Sequence, residues 1–169
     1  MNIFVVDYCP VTSASSLCDQ HVIKMPIESV QMLSTTLHLK GFPAPYKKAF
    51  INHPCTVWTR QSFENFCWLY IHALALCQEY TNRFKRKHET ETALQCIRES
   101  IAKNTPELSS AFMFSGRTTF ALAMPDKYKE PNPAFSYRRF YINEKKHFAR
   151  YTNRTMPAWL EKENPYNDE

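Results

Sequence analysis

Residues 17–38, LCDQHVIKMPIESVQMLSTTLH, decide the fold class. Ile23, Ile27, Val30, Leu33 and Leu37 recur every three or four positions, the spacing of one face of an α-helix. Ser16 followed by Asp19 has the acidic form of the capping box, and Gly41 supplies a terminator, so a helix is predicted from near Leu17 to about His38. Pro26 removes one backbone donor and is expected to kink it.

Working outward, Asn2 to Val6 is short, β-branched and aromatic, and Pro10 stops it, which reads as a brief strand or an extended arm. Residues 42–54 hold Pro43, Pro45 and Pro54 and read as a loop. Cys55 to Phe84 is the longest helical pattern, with Val57, Phe66, Tyr70, Leu74, Cys77 and Tyr80 on its apolar side. A basic connector over 85–90 precedes a third helix, Thr90 to Lys103. Pro106, Gly116, Pro125, Pro131 and Pro133 break residues 105–134 into loops, and a last helix is predicted from about Phe135 to Tyr151. The expected fold is mainly α: one compact helical domain over 1–169, with an extended start, long Pro-containing loops and an acidic tail at about 161–169.

Composition narrows the function classes. The 169 residues are 44% hydrophobic and 22% charged, enough apolar material for one core, so disorder is excluded for the chain as a whole. Two Gly against 11 Pro argue against glycine-rich phosphate loops and against the many tight hairpins of a β-sandwich. Aromatic residues make up 14% and serve either a core or base stacking. The formal charge of +5 leans toward a polyanionic partner, and more so without Glu161, Glu163, Asp168 and Glu169. Six scattered Cys in apolar contexts, without a secretory signal, read as reduced and mostly core thiols. No apolar stretch approaches the roughly 20 residues that cross a bilayer, so an intracellular protein without a membrane partner is expected.

On the first long helix His21, Lys24, Glu28, Gln31 and Thr35 fall three and four apart, opposite the apolar stripe, and form a polar ridge. The second helix offers Arg60, Glu64, Trp68, His72 and Glu79, preceded by Asn52, His53 and Pro54. If the ridges face each other, His21, Glu28, His53, Arg60 and Glu64 converge, and a carboxylate among cations and apolar walls is a usual acid-base or electrostatic centre. A solvated face, or a salt-bridge network holding two helices in register, accounts for the same pattern. Cys18, His21, His53 and Cys55 provide two Cys and two His for a tetrahedral zinc site, but the spacing matches no standard finger. The deaminase signature also lacks its second Cys, where Val57 and Trp58 stand. No cofactor and no metal are therefore assigned. Cations interleave with aromatics over Tyr137 to Tyr151, including Arg138, Arg139, Lys145, Lys146 and Arg150. Together with Arg83 to Lys87, Arg117, Lys127 and Lys129 they favour nucleic-acid phosphates.

The run Leu17-Cys18-Asp19-Gln20-His21 followed by Glu28 resembles the signature of the phage pyrimidine-dimer DNA glycosylases, the endonuclease V family, in which an Asp-Gln-His opens a helix and the catalytic Glu follows the His by seven residues. The aromatic-rich helix after His53 and the Arg154 to Trp159 stretch are weaker echoes. Over Cys18 to Leu33, Asn52 to Asn65 and Ala123 to Lys129 the chain also resembles a group of phage proteins with no assigned activity. The glycosylase resemblance implies Glu28 as the catalytic carboxylate, His21 as a residue contacting DNA or orienting the scissile nucleotide, and an all-α fold that grips bent DNA and flips a base.

That family's nucleophile is the α-amine of an N-terminal Thr exposed by Met removal. Here Asn2 follows Met1, and Ile27 and Ser29 flank Glu28 where the family carries basic residues. What survives is excision of a damaged or modified pyrimidine without strand cleavage, or remodelling of a modified base, with Lys24 as the substitute amine for a lyase step. His53 is expected beside Glu28, while Lys24, Gln31, Arg60, Glu64, Arg117, Arg138, Arg139 and Lys145 bind the substrate. The expected partner is double-stranded DNA, through its phosphates and a flipped base, in the cytoplasm of an infected bacterial cell. A DNA-binding or anti-defence protein without catalysis, and a zinc-dependent nucleic-acid enzyme, are the alternatives.

Overall fold

A computed structural model describes residues 1–161, so the acidic tail beyond Glu161 lies outside the described residues. Its helices are α1 (Pro10–Ser15), α2 (Asp19–Leu39), α3 (Pro54–Thr59), α4 (Phe63–Phe84), α5 (Thr90–Ser110), α6 (Pro133–Glu144) and α7 (Ala158–Glu161), with short 3₁₀ turns at Asp126–Tyr128 and Lys146–Phe148. Among the described residues the only β pairing is an isolated bridge between Ser62 and Phe114. The mainly α expectation holds, and Asn2 to Val6 is an extended arm rather than a strand.

The central pair is α2 with α4; α1 packs across α4, and α5 rests on both long helices. Their shared core includes Val22, Met25, Met32, Leu33, Leu37, Phe66, Leu69 and Leu76. The apolar stripe of α2 is therefore rotated from the predicted one: Ile23 and Ile27 are exposed, whereas Ser29, Thr35 and Thr36 are buried. A helix covered on several sides cannot be oriented by one stripe, because its polar ridge is covered too. Pro26 is accommodated inside α2. At its end Gly41 takes φ +86, Phe42 N–H donates to Leu37 O (2.9 Å) and Gly41 N–H to His38 O (3.3 Å). That Schellman arrangement satisfies the last carbonyls and confirms Gly41 as the terminator.

Other boundaries depart for identifiable reasons. The expected helix over 55–84 is two helices, because Ser62 caps α4 by accepting from Asn65 N–H while Asn65 Nδ2 donates to Trp58 O at the end of α3. The third helix runs on to Ser110 through a kink at Asn104, two residues before Pro106, and the Asn104 amide donates to Ser100 O. The last helix stops at Glu144, not Tyr151, so that Phe148 turns back to lie edge-on against His21 and Arg150 O accepts from Asp19 N–H. Tyr137 and Tyr141 are core residues, so the side of this basic helix that carries them is packing.

The capping box is not used. Asp19 instead accepts from Thr152 N–H and Oγ1 and pairs with Arg83 (3.0 Å), which also pairs with Glu79 (3.1 Å). Arg154 closes the network on Glu79 at 2.7 Å. Arg83, read from the sequence as part of a basic surface, is 1% exposed. The network ties the start of α2, the end of α4 and residues 150–154 together. Removing one member of a buried charged set strands its partners, so Arg83→Ala is expected to lower unfolding free energy by about 3–5 kcal/mol. The measurement is a drop in denaturant midpoint at constant slope, and a change below about 1 kcal/mol would show that the network contributes nothing.

Candidate active site

The arm at the start of the chain makes the site. Ile3, Val5 and Val6 are buried, which draws Met1 and Asn2 down onto the middle of α2. Asn2 Oδ1 accepts from the N–H groups of Ile3 (2.8 Å) and Phe4 (3.2 Å), and its Nδ2 donates to Ala123 O (2.8 Å). This side-chain turn carries Phe4 into left-handed backbone, φ 54, and lays its ring on His21 at 4.2 Å.

Glu28 receives the arm. Its Oε2 accepts from Asn2 N–H at 2.9 Å and lies 3.8 Å from the Met1 amino nitrogen, while Oε1 lies 3.1 Å from Lys24 Nζ. The Met1 and Glu28 side chains are almost covered, and that of Lys24 is 67% exposed. A carboxylate between two amino groups, shielded on one side and open on the other, can stabilise positive charge or move a proton.

His53 completes the group. It precedes α3 and accepts from Cys55 N–H through Nδ1 (3.2 Å), so its neutral ring carries the proton on Nε2. Burial and then the Met1 ammonium lower its pKa, whereas the Glu28 charge opposes them. Of the five residues expected to converge, His53 is thus close enough to Glu28 to feel its charge.

The other expected members are elsewhere. His21 sits two turns before Glu28, buried, with Nδ1 2.7 Å from the Tyr141 hydroxyl. Burial foremost, then Lys145 and Lys24, push its pKa down to about 4, so the ring is neutral near pH 7. Gln31 is half-buried one turn beyond Glu28. Arg60 donates to Ile51 O, and Glu64 is exposed near Cys67, so neither joins the predicted convergence. Each is held at its own helix end rather than facing α2.

The basic candidates are mostly engaged. Arg138 donates to Val6 O and pairs with Asp7 (3.3 Å), Arg139 pairs with Glu130 (3.1 Å), and Arg117 lies over Tyr8 and Phe120. Lys145 rests over Phe140 and Phe148. For zinc, the four ligands do not assemble: among the described residues no group of three or more Cys, His, Asp or Glu is placed to hold a metal. The Cys55 thiol is pushed up to about 12 by burial, the opposite of what a thiolate ligand requires. Cys18, Cys55 and Cys77 are buried as expected, but Cys9 and Cys96 are exposed, and none of the six is in a disulfide.

The family model for pyrimidine dimer DNA glycosylase matches residues 1–92, just over half of the 169 residues. The chain belongs to the pyrimidine dimer DNA glycosylase family. DNA is the partner class of that family, and no helix among the described residues is long and apolar enough to cross a membrane. No curated protein and no solved structure matches the chain. The matched span carries Met1, Asn2, His21, Glu28 and His53. The residues that hold the arm from outside, Ala123, Tyr137 and Tyr141, lie beyond it, as does the Arg154 to Trp159 stretch.

Met1, Asn2, Phe4 and Tyr141 are the site residues that sequence reasoning missed. The signal was an apolar hexapeptide at the chain start with an Asn at its head, too hydrophobic to lie in solvent. Because His21 falls from 6.5 in the unfolded chain to about 4, the unfolded state takes up a proton that the folded state resists. Stability is full above about pH 6.5 and declines toward pH 4, by on the order of 3 kcal/mol from this group. In urea titrations across that interval His21→Phe should lose less stability than the unsubstituted protein; an identical slope would contradict the assignment.

Proposed function

We infer that the protein excises a damaged pyrimidine from duplex DNA at Glu28, and that the pyrimidine dimer is the lesion. The observation that carries this reading is the shielded Glu28 carboxylate flanked by the Met1 amino group at 3.8 Å and Lys24 Nζ at 3.1 Å, with His53 beside them. The family match over the same residues supports it.

Breaking an N-glycosidic bond leaves positive charge on the deoxyribose ring, shared between C1′ and O4′. A carboxylate fixed nearby stabilises that charge without having to reorganise. The base leaves with the bonding electron pair and takes up a proton; either water or an amine then supplies the new bond to C1′. The amine route needs a free primary amine, and Glu28 is the group within reach to accept its proton. Trimming of Met1 is not required to bring an amine there, because the untrimmed Met1 nitrogen already lies against Glu28. Asn2 in place of Thr is compatible with the same geometry, since its backbone N–H holds the carboxylate. His21 is a positioning residue that acts through Phe4 and the arm. Lys24, Gln31, Arg60, Arg117 and Lys145 meet the DNA backbone, with Arg138 and Arg139 contributing from beside their acidic partners. Glu64 has no role in this reading.

On a duplex carrying a single pyrimidine dimer, Glu28→Gln should reduce base release at least about 100-fold while leaving DNA binding intact. Borohydride present during turnover should trap an adduct that peptide mapping places on Met1. An adduct on Lys24 moves the nucleophile to that residue, and base release with no adduct leaves the hydrolytic route. Full activity in Glu28→Gln overturns the reading and leaves a DNA-binding protein without catalysis at this residue.

A further inference from the structure

The connection between α2 and α3 is restrained along its length, although it lies on the surface. Tyr46 N–H donates to Ser34 Oγ (3.4 Å), and Tyr46 O lies 3.0 Å from His38 Nε2. The Thr35 hydroxyl accepts from Ala49 N–H (3.0 Å) and donates to Ala49 O (3.1 Å). Arg60 donates to Ile51 O, and His53 N–H donates to Phe50 O (3.0 Å). At the tip of this fixed loop Phe50 takes left-handed backbone, φ 49, and is 64% exposed, with Ile51 exposed beside it. An aromatic residue held in a strained conformation and given no core to fill is not explained by folding.

Its position and its charge surroundings point the same way. Phe50 is three residues, and one hydrogen bond, from His53, which stands beside Met1 and Glu28. Lys47 and Lys48 are exposed just before it. From residue 29 to residue 63 the sequence has no Asp or Glu but carries Lys40, Lys47, Lys48 and Arg60. A projecting ring on a restrained loop, two and three residues after a pair of exposed lysines, is complementary to an opened nucleic-acid duplex: phosphates take the cations, and the ring takes a base face.

We propose that Phe50 is a wedge that enters duplex DNA next to the nucleotide presented to Glu28 and replaces the stacking lost when a base leaves the helix, while Lys47 and Lys48 hold the adjoining phosphates. The proposal rests on the reading of Glu28 as the excision centre, but its test does not require excision. The probe is a duplex with a non-cleavable tetrahydrofuran abasic analogue and a neighbouring 2-aminopurine, whose fluorescence rises on unstacking.

The unsubstituted protein and Glu28→Gln should both raise the signal severalfold. Phe50→Ala should abolish the rise and weaken binding about tenfold, and Phe50→Trp should restore both. Lys47→Ala and Lys48→Ala should weaken binding to any duplex and each lower the salt slope by about one. Thermal melting of Phe50→Ala close to that of the unsubstituted protein shows that the loss is not unfolding. The wedge is overturned if Phe50→Ala matches the unsubstituted protein in signal and affinity, or if the unsubstituted protein gives no signal. Loss of excision in Glu28→Gln combined with an indifferent Phe50→Ala rejects the wedge alone; a wedge signal combined with full excision by Glu28→Gln rejects the excision centre alone.

Discussion

A carboxylate in the middle of a covered helix is unfavourable unless something of opposite charge or with a free N–H is brought to it. In this protein the start of the chain does so. The arm folds back because Ile3, Val5 and Val6 have apolar space to enter, and that burial carries Asn2 N–H and the Met1 amino group to Glu28. Hydrophobic burial of Ile3, Phe4, Val5 and Val6 therefore sets the electrostatics around Glu28. The same folding-back places Phe4 on His21 and so fixes the wall of the site two turns away.

The two halves of the chain divide the work. Residues in the family-matched span carry the arm, Glu28 and His53, and the later segments lock them in place. Ala123 O holds Asn2, Tyr141 holds both Cys18 N–H and His21, and Arg138 grips Val6 O. The buried Asp19, Arg83, Glu79 and Arg154 network does the same for the beginning of α2. Asp19 of the Asp-Gln-His run is consequently a structural anchor, while Glu28, equally covered, is paired instead with the exposed Lys24 and the start of the chain.

Several basic residues that suggest nucleic-acid binding by number are already engaged within the molecule. Arg83 is core, Arg138 and Arg139 face Asp7 and Glu130, and Arg154 faces Glu79. Exposed cations remain at Lys47 and Lys48, within a stretch from 29 to 63 that has no Asp or Glu, and at Lys85, Arg86 and Lys87. Net charge counts all of these residues alike, whereas the pairing of individual side chains separates those engaged within the molecule from those left at the surface.

The sequence by itself determined the helical class, the long helix ending at Gly41 and the seven-residue interval from His21 to Glu28. Local periodicity and turn chemistry are properties of neighbouring residues, so they can be read without a fold. The break at Ser62 was also written there, in Ser62 and Asn65, but it was hidden inside a continuous apolar pattern. Only the tertiary structure decided which face of α2 is buried, that Arg83 and the tyrosines of α6 are core, and that Met1 and Asn2 belong beside Glu28. Those outcomes depend on contacts between segments far apart in the chain, from 26 residues for Asn2 and Glu28 to 123 for Cys18 and Tyr141, and no local rule records which distant surface will cover a given side chain.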